Sequence, residues 1–325
     1  MATREARRPG LRLGIDLGGT KLLAGVVDAG GEVLGTGKLK TPFGGGAADL
    51  AAVLVAAADA ALAGAERGRE DVSAVGVAAP GVVDVERGVL LRANNLAVKS
   101  FSFPKALAKA FPGAGVSVEN DVRLAALAEA RLGAGRGARS VVAVWVGTGV
   151  GGAVLLDGEL WTGRNRNAGE IGQVLVDRRD ARPGEPDGTL ESVAGKNAIA
   201  RFVARRVERG EASVLAKAVT RKDARLSGKE LAAAFAGGDG PACKAVERSA
   251  KAVGMTMASV FALLSPDLFV LGGGVAEALG APYLAEVRKW ARAFAFSTEL
   301  GSIQVAPAAL GDHAGLLGAA LLASS

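Results

Sequence analysis

Apolar positions along this chain alternate between short runs with β-strand character and longer runs with helical spacing. The pattern predicts strands in Leu11–Asp28, Glu32–Lys40, Ser73–Val83, Val116–Val118, Val141–Leu156, Asp267–Leu271 and Ile303–Ala306. It predicts helices at Ala47–Ala63, Val122–Leu132, Ala198–Arg209, Gly228–Ala236, Pro241–Leu264, after Gly272-Gly273-Gly274, and at His313–Leu322. Strands that alternate with helices indicate an α/β fold.

One local pattern occurs twice. In Leu11–Asp28 two apolar runs flank the turn Gly18-Gly19, and in Val141–Leu156 two similar runs flank a second glycine turn. An internal duplication is the economical interpretation. Because both turns join hairpins, an all-parallel sheet is disfavoured, and we expect two duplicated lobes with a cleft between them.

Composition restricts the chemistry. The chain has 325 residues, a formal charge of +6, 50% hydrophobic residues and 22% charged residues, a globular balance with room for about two domains. Its single cysteine, Cys243, and single histidine, His313, exclude an internal disulfide and a Cys/His zinc site. The chemistry must therefore come from carboxylates, backbone amides, lysine or a hard metal ion.

Neither a membrane nor a nucleic acid is an expected partner. The longest uncharged run, Ser140–Leu156, falls short of the roughly 20 apolar residues of a membrane span. The basic start of the chain lacks the apolar segment of a secretory signal, so we expect a cytoplasmic protein. Basic residues are scattered, and 201–225 alternates with Glu and apolar residues, which favours a solvated helix face over a nucleic-acid site.

The glycine turns suit phosphate binding. Asp16-Leu17-Gly18-Gly19-Thr20-Lys21 combines a tight turn with an acid, a hydroxyl group and a base, which suits an anion and water-mediated Mg²⁺. A plain β-turn is the alternative. Gly147–Gly152 fits G-x-G-x-x-G formally, but a dinucleotide-binding motif opens a helix, whereas Ala153–Leu156 has strand character. Gly272-Gly273-Gly274 suits a flat ligand or a phosphate, or is a simple strand-to-helix connection.

These three glycine turns, in this order, resemble the ROK family (repressors, open reading frames and kinases), whose enzymes are sugar kinases. The resemblance runs from about Leu11 to Ala323 and rests on Asp16–Lys21, Val118–Asp121, Gly147–Gly152, Ala168–Gly172, Leu271–Val275 and Ala308–Gly315. It implies a two-lobed, duplicated actin/hexokinase-like (ribonuclease H-like) fold with an interlobe cleft. We expect a smaller N-terminal lobe of residues 1–121 with 312–325, and a larger C-terminal lobe of residues 122–311.

The resemblance also implies roles for residues at matching positions. Asp121 would be the general base for the sugar hydroxyl, although it could instead cap the following helix, and Asp16 would organise Mg²⁺ through water. The sugar would be bound by Asn95, Asn120, Asp121, Glu170, Gln173 and Glu191. The ATP would be bound by Gly18, Gly19, Thr20, Gly147, Thr148, Gly149, Gly151, Gly152, Gly273 and Gly274. Alternatives stay open: Asn95 and Asn120 as turn residues, and Glu191 as a helix-start acid.

Two departures from the family pattern bear on function. ROK repressors carry an N-terminal winged helix-turn-helix, but about ten residues precede the first strand here, so we expect no DNA binding. Many members have a His after the sugar-binding Glu and then a cysteine zinc module. Here Gln173 stands at the His position, and Arg182, Gly184 and Thr189 stand at the cysteine positions, so we expect no zinc and one changed sugar contact.

The expected function is transfer of the γ-phosphoryl group of Mg-ATP to a hexose, first of all to the 6-hydroxyl of glucose. The expected assembly is a homo-oligomer, either a dimer or a tetramer. Alternatives are a kinase for fructose, mannose or an N-acetylhexosamine, and polyphosphate as the donor. A sugar sensor without turnover is the rival from another class, and an actin-like ATPase with a protein ligand is a third. The retained Asp16, Asp121 and glycine turns favour the kinase.

Overall fold

A computed structural model describes residues 10–42, 44–93, 96–177, 187–220, 226–296 and 302–323. The chain forms two compact units: Met1–Gly133 with Leu310–Ser325, and Ala134–Ala309. These divisions differ from the predicted boundaries at 121/122 and 311/312. The helix that follows Asn120 packs against the helix that follows His313, so both helices belong to the first unit.

The described elements alternate as the sequence pattern predicts. The strands are β1 (Leu11–Leu17), β2 (Lys21–Val27), β3 (Val33–Lys40), β4 (Val72–Ala79), β5 (Val82–Asp84), β6 (Val89–Arg92), β7 (Lys99–Ser102), β8 (Gly115–Asn120), β9 (Ser140–Val146), β10 (Val150–Leu156), β11 (Glu159–Leu160), β12 (Leu268–Gly272) and β13 (Val305–Pro307). The helices are α1 (Ala47–Gly64), α2 (Phe103–Leu107), α3 (Asp121–Arg131), α4 (Leu190–Ala194), α5 (Lys196–Glu208), α6 (Ala216–Thr220), α7 (Gly228–Ala236), α8 (Gly240–Leu264), α9 (Gly274–Ala293) and α10 (Ala314–Leu322).

The two units contain sheets of the same design. The strand order is β3-β2-β1-β4-β8 in the first unit and β11-β10-β9-β12-β13 in the second. In each sheet the first strand of the glycine hairpin pairs antiparallel with its hairpin partner and parallel with a later strand. The prediction of a duplicated α/β fold with mixed sheets is confirmed. Strands β5, β6 and β7 form a separate small antiparallel sheet.

Helix α10 is a core element of the first unit. Its sequence is apolar on every side and is buried from Ala314 to Ala320, because it packs against β1 and β4 and also against α3. Gly76 in β4 permits this approach, since a β-carbon there would overlap the carbonyl group of Ala319. The packing of α10 fixes Asp312 and Gly315 beside the end of β1.

Helix α1 is, among the described helices, the one long and apolar enough to cross a membrane by length and composition, with a mean hydropathy of 1.7. Asp49 and Asp59 interrupt its apolar sequence, so it contains no long uncharged run. Its Leu50, Leu54 and Ala61 are buried where the helix packs against β2 and β3. The apolar character of α1 is therefore explained by its place in the core of the first unit.

Candidate active site

Asp16 lies near the carboxyl end of β1, where pairing with β2 and β4 fixes its backbone. Gly315, in the first turn of α10, packs directly against its carboxyl group. A β-carbon on residue 315 would lie 2.5 Å from both Cγ and Oδ2 of Asp16. The acid is therefore held against the N-terminal turn of α10.

Asp121 is the first residue of α3, directly after β8. The N-cap of this helix is its neighbour Asn120, whose Oδ1 accepts hydrogen bonds from the amides of Val122 at 3.0 Å and Arg123 at 3.3 Å. The amide group of Asn120 also donates to the Gly81 carbonyl at 3.4 Å. The helix start is thus satisfied by Asn120, and Oδ1 of Asp121 also accepts a hydrogen bond from Val122 N at 2.9 Å.

The environment of both acids disfavours their charged forms. Burial, and next the nearby charge of Asp121, raises the pKa of Asp16 to about 7, although Lys21 acts in the opposite direction. Burial also raises the pKa of Asp121 to about 6, against the effect of the hydrogen bonds at the start of α3. Acids with pKa values raised by burial and by a like charge are typical of sites that move a proton or bind a cation.

The first glycine turn joins β1 to β2 and is held by hydrogen bonds from Thr41, a residue outside the turn. Gly18 N donates to the Lys21 carbonyl at 3.0 Å, which closes the turn. Thr41, which is buried, donates from Oγ1 to the Gly18 carbonyl at 2.6 Å and from its amide to the Thr20 carbonyl at 3.2 Å. Gly19 and Thr20 remain partly or fully exposed at the tip, where a ligand can reach them.

Lys21, at the start of β2, forms an ion pair. Its Nζ lies 2.7 Å from Oδ2 of Asp312, and both side chains are exposed. The hydrogen bond from Lys21 lowers the pKa of Asp312. Asp312 therefore stays charged near neutral pH and holds Lys21 beside the first glycine turn.

The second glycine turn joins β9 to β10. Gly147, Thr148 and Gly149 form the turn itself, which Gly147 closes by donating its amide to the Gly149 carbonyl at 2.9 Å. Gly151 and Gly152 lie within β10 instead, where they pair with Trp145 and Val144. Because a strand follows this motif, it does not open a helix, and the dinucleotide interpretation stays excluded.

The start of α5 clamps this second turn. Lys196 N donates to the Gly147 carbonyl at 2.9 Å, and Asn197 N donates to the Thr148 carbonyl at 3.2 Å. In a trans peptide the N–H points opposite to the C=O, and none of the described peptide bonds is cis. The amides of Thr148 and Gly149 therefore point away from α5, which leaves them oriented to donate to an anion.

Glu191, in the first turn of α4, braces the same region. Its Oε2 accepts a hydrogen bond from Val150 N at 2.9 Å, and a β-carbon on Gly149 would overlap that oxygen. The side chain predicted to bind sugar thus also holds the beginning of β10. A cavity of about 250 Å³ opens here; its lining includes Thr148, Gly149, Glu191, Ser192, Asn197 and Arg201.

The third glycine motif adjoins the second turn. Gly273 has a positive φ of 90° and caps α9. A β-carbon on this residue would lie 2.7 Å from the carbonyl oxygen of Val146, the residue before Gly147. The second unit therefore brings the start of α9 next to the second glycine turn. Gly274, the other predicted nucleotide residue of this motif, is the first residue of α9.

Glu170 precedes a short 3₁₀ turn, Ile171–Gln173, and Gln173 is its last residue. Both side chains are exposed, whereas Ile171 is buried, and the turn packs against β10. The predicted sugar-binding loop is thus anchored to the strand that follows the second glycine turn. Asn95 lies outside the described residues, as do Arg182 and Gly184.

Sequence reasoning missed several residues that shape the site. Thr41 and Gly315 carry no local signal, because their partners are distant in the chain. Glu119 and Arg123, on either side of Asp121, form a buried ion pair of 3.4 Å. Glu119 lies in β8 and Arg123 in α3, so helical spacing does not identify the pair, which forms because α3 follows β8 directly.

Comparisons with known proteins match this chain over nearly its whole length. The model of the ROK family matches residues 12–325. The glucokinase of Streptomyces coelicolor is 33% identical to this chain over 328 residues, which cover 97% of this chain and 98% of that protein. The match therefore includes both units and every described motif.

Two solved structures have closely similar folds. The ROK hexokinase from Thermus thermophilus superposes with a TM-score of 0.81 at 33% identity, covering 97% of this chain and 98% of that one. A ROK family glucokinase from Streptomyces griseus, in complex with glucose and AMPPNP, gives a TM-score of 0.79 at 34% identity, covering 97% and 99%. These likenesses support the predicted two-lobed actin/hexokinase-like fold.

Proposed function

Because this chain belongs to the ROK family, we propose that it is an ATP-dependent hexose kinase that phosphorylates glucose at the 6-hydroxyl group. Glucokinases about one-third identical over nearly the whole chain support this activity. The observation that carries the proposal is the half-buried Asp121, whose pKa is raised to about 6 and which the helix start does not need as its cap. Such a group can accept a proton at neutral pH.

The first unit would supply the acid–base chemistry. Phosphoryl transfer requires an in-line hydroxyl group, a proton acceptor and charge stabilisation. Asp121 would accept the proton of the sugar hydroxyl as the oxygen attacks the γ-phosphorus. Gly18, Gly19 and Thr20 would present the first glycine turn to phosphate oxygens, and Thr41 keeps that turn in shape.

The donor set of the first unit fits Mg²⁺. Asp16 is a half-buried carboxylate whose pKa is raised first by desolvation and next by the charge of Asp121, and a bound cation would relieve this repulsion. Mg²⁺ prefers oxygen ligands and keeps several waters, so Asp16 would hold it through water. When bound, the ion would neutralise charge on the phosphates.

The second unit would bind nucleotide and sugar. The amides of Thr148 and Gly149 point away from α5 and would donate to phosphate oxygens. Gly273 and Gly274 would flank the nucleotide. Glu170 and Gln173 are exposed at one short turn and would hydrogen-bond sugar hydroxyls.

Glu191 and Asn120 would have two tasks each. Glu191 uses Oε2 for Val150 N, so Oε1 would accept from the sugar. Asn120 uses Oδ1 to cap α3, so only its Nδ2 would donate to a sugar oxygen, in competition with the Gly81 carbonyl. Asn95 stays a proposed sugar contact from the family resemblance alone.

The remaining parts of the proposal concern assembly and location. We expect a homo-oligomer, either a dimer or a tetramer, and a cytoplasmic location. Exposed apolar side chains on the second unit support an interface, since Leu263 is 82% exposed and Phe296 is 92% exposed. Size-exclusion chromatography with light scattering tests the assembly directly.

The direct test is ADP release from Mg-ATP across glucose, fructose, mannose and N-acetylhexosamines, with Asp121→Asn as the control. Turnover that depends on glucose and collapses in the variant supports the proposal. Faster turnover with another hexose would make Gln173 the first residue to examine, because it replaces the family's histidine. Sugar binding by calorimetry without turnover on any sugar would instead support a sensor.

A further inference from the structure

A buried chain of hydroxyl groups connects α9, α8 and the end of α4. Tyr283 and Ser249 are fully buried, and their hydroxyl oxygens lie 2.8 Å apart. Ser249 donates its hydrogen to the carbonyl oxygen of Ala194 at 2.9 Å. A hydroxyl group has one hydrogen to donate, so Tyr283 must donate to Ser249. Burial raises the pKa of Tyr283, which keeps it a donor.

This series of hydrogen bonds ends at the junction between α4 and α5, which clamps the second glycine turn. Ala194 is the last residue of α4, and Gly195 joins it to α5. A β-carbon on Gly195 would lie 2.9 Å from Cα of Gly149 and 3.0 Å from the carbonyl oxygen of Thr148. The backbone of the junction therefore packs directly against the backbone of the turn. The amides of the next two residues, Lys196 and Asn197, donate hydrogen bonds to carbonyl groups of the turn.

Filling the core does not require these hydroxyl groups. Ser249 and Tyr283 lie among the apolar residues that form the core of the second unit, where a polar group is unfavourable unless it is hydrogen-bonded. Alanine and phenylalanine would occupy nearly the same space without polar atoms. The bonds instead fix one specific carbonyl group, that of Ala194, relative to two helices.

We propose that Ser249 and Tyr283 are positioning residues for phosphate binding, which hold the Ala194–Gly195 junction so that α5 orients the amides of Thr148 and Gly149. The inference rests on the proposed function for the identity of the anion, the phosphates of ATP. Neither side chain contacts the second glycine turn; both act through the backbone that does.

Three variants test the proposal. Ser249→Ala deletes the hydrogen bond to the Ala194 carbonyl, whereas Tyr283→Phe deletes only the hydrogen bond from Tyr283 to Ser249. Thr256→Val is the matched control, because Thr256 is also buried in α8 but donates to Ala252 of its own helix, at 2.9 Å. From the usual strength of such bonds, we expect Ser249→Ala to raise the Kd for AMPPNP about fivefold to tenfold and Tyr283→Phe about twofold to threefold.

The control should leave the Kd within about twofold of wild type, even where it lowers Tm as much as Ser249→Ala does. In turnover assays the KM for MgATP should rise in Ser249→Ala while kcat at saturating MgATP changes little. Equal AMPPNP binding by Ser249→Ala and Thr256→Val overturns the proposal, and so does a Kd that follows Tm across all three variants. If Ser249→Ala does not fold, an unchanged Kd in folded Tyr283→Phe overturns it.

The binding measurement separates this proposal from the proposed function. Calorimetry with AMPPNP needs no turnover. A chain that binds AMPPNP but phosphorylates no sugar overturns the kinase proposal and leaves the comparison of variants intact. A wild-type chain that binds no nucleotide overturns both.

Discussion

Gly315 meets the carboxyl group of Asp16 so closely that a β-carbon on residue 315 would lie 2.5 Å from its Cγ. The first turn of α10 thus contacts the end of β1, although most of the chain lies between them in sequence. The carboxyl group held there has a pKa raised to about 7. The position of this acid depends on a glycine that supplies no chemistry of its own.

Gly315→Ala should therefore impair activity by displacing Asp16. A shift of about 1 Å in a positioned group commonly lowers activity about a hundredfold, so we expect a loss of roughly tenfold to a hundredfold in kcat/KM. The Mg²⁺ concentration for half-maximal activity should rise as well. Gly240→Ala is the control, since a β-carbon there has no atom within 4 Å. Equal kinetics in the two variants would contradict the prediction.

Asp16→Asn should stabilise the Mg²⁺-free protein while removing activity. The pKa of Asp16 is raised from 3.8 to about 7 in the folded state, so folding favours the protonated form. The folded state binds more protons between about pH 4 and pH 7, and the unfolding free energy of the wild type falls as the pH rises through that window. The neutral amide of Asp16→Asn avoids this loss, so the unfolding free energy of the variant at pH 8 should exceed that of the wild type by roughly 2 to 4 kcal/mol.

Denaturant unfolding in EDTA measures this effect. The advantage of Asp16→Asn should be largest at pH 8 and smaller at pH 5. Asp267→Asn is the control, because hydrogen bonds from the amides of Ser140 and Arg139 lower the pKa of Asp267, so its removal relieves no such penalty. An Asp16→Asn protein less stable than wild type at pH 8 would show that the charged carboxylate is stabilised after all.

Asp121→Asn should lower kcat by about a thousandfold, which is within the usual contribution of a general base. In the wild type kcat/KM should fall as the pH drops below about 6, because protonation of Asp121 removes the proton acceptor. The helix start should survive, since Asn120 remains its cap. A stopped-assay pH profile checks this, with Asp267→Asn in the second unit as a control that keeps most of the activity.

Gly149→Ala and Gly147→Ala form a matched pair within one turn. A β-carbon on Gly149 would overlap Oε2 of Glu191, whereas a β-carbon on Gly147 has no atom within 4 Å. We expect Gly149→Ala to lose about 2 kcal/mol of unfolding free energy, and Gly147→Ala to change it by less than about 0.5 kcal/mol. Thermal unfolding without ligand compares them, and equal stabilities would show that Glu191 moves aside freely.

Metal dependence should involve Mg²⁺ and not zinc. Activity should disappear in EDTA and return with excess Mg²⁺, because we propose that Asp16 holds this hard cation through water. A zinc-selective chelator should leave kcat unchanged, since Cys243 is the chain's single cysteine and Gln173 stands at the family's histidine position. Loss of activity with that chelator would indicate an unexpected zinc site.

Local sequence patterns were sufficient for the repeated hairpins. Alternating apolar runs around Gly18-Gly19 and Gly147–Gly149 predicted both, because strand and turn preferences act over a few residues. The small sheet of β6 and β7 and the short helix α2 were not predicted. These elements are short, so their residues carry little periodic signal, and tertiary packing determines them.

The contacts that position the site could not be predicted from local sequence patterns, because they join residues from different elements. Thr41 reaches Gly18 across the β2–β3 hairpin, and Glu191 reaches Val150 from a different element. Glycine is common in turns because it adopts positive φ freely. Yet among the described glycines of these two turns none has a positive φ, and Gly149 is required by the approach of Glu191. That requirement is visible only once the chain has folded.

The order in which the two units are completed follows from the place of α10. Residues 134–309 are continuous, so during synthesis on the ribosome the second unit has all of its strands and helices before α10 emerges. The first unit begins earlier but lacks a core helix until residues 314–322 appear, and until then the faces of β1 and β4 that α10 covers stay exposed. The part of the chain made first is therefore finished last, and it is the part we expect chaperones to bind during synthesis.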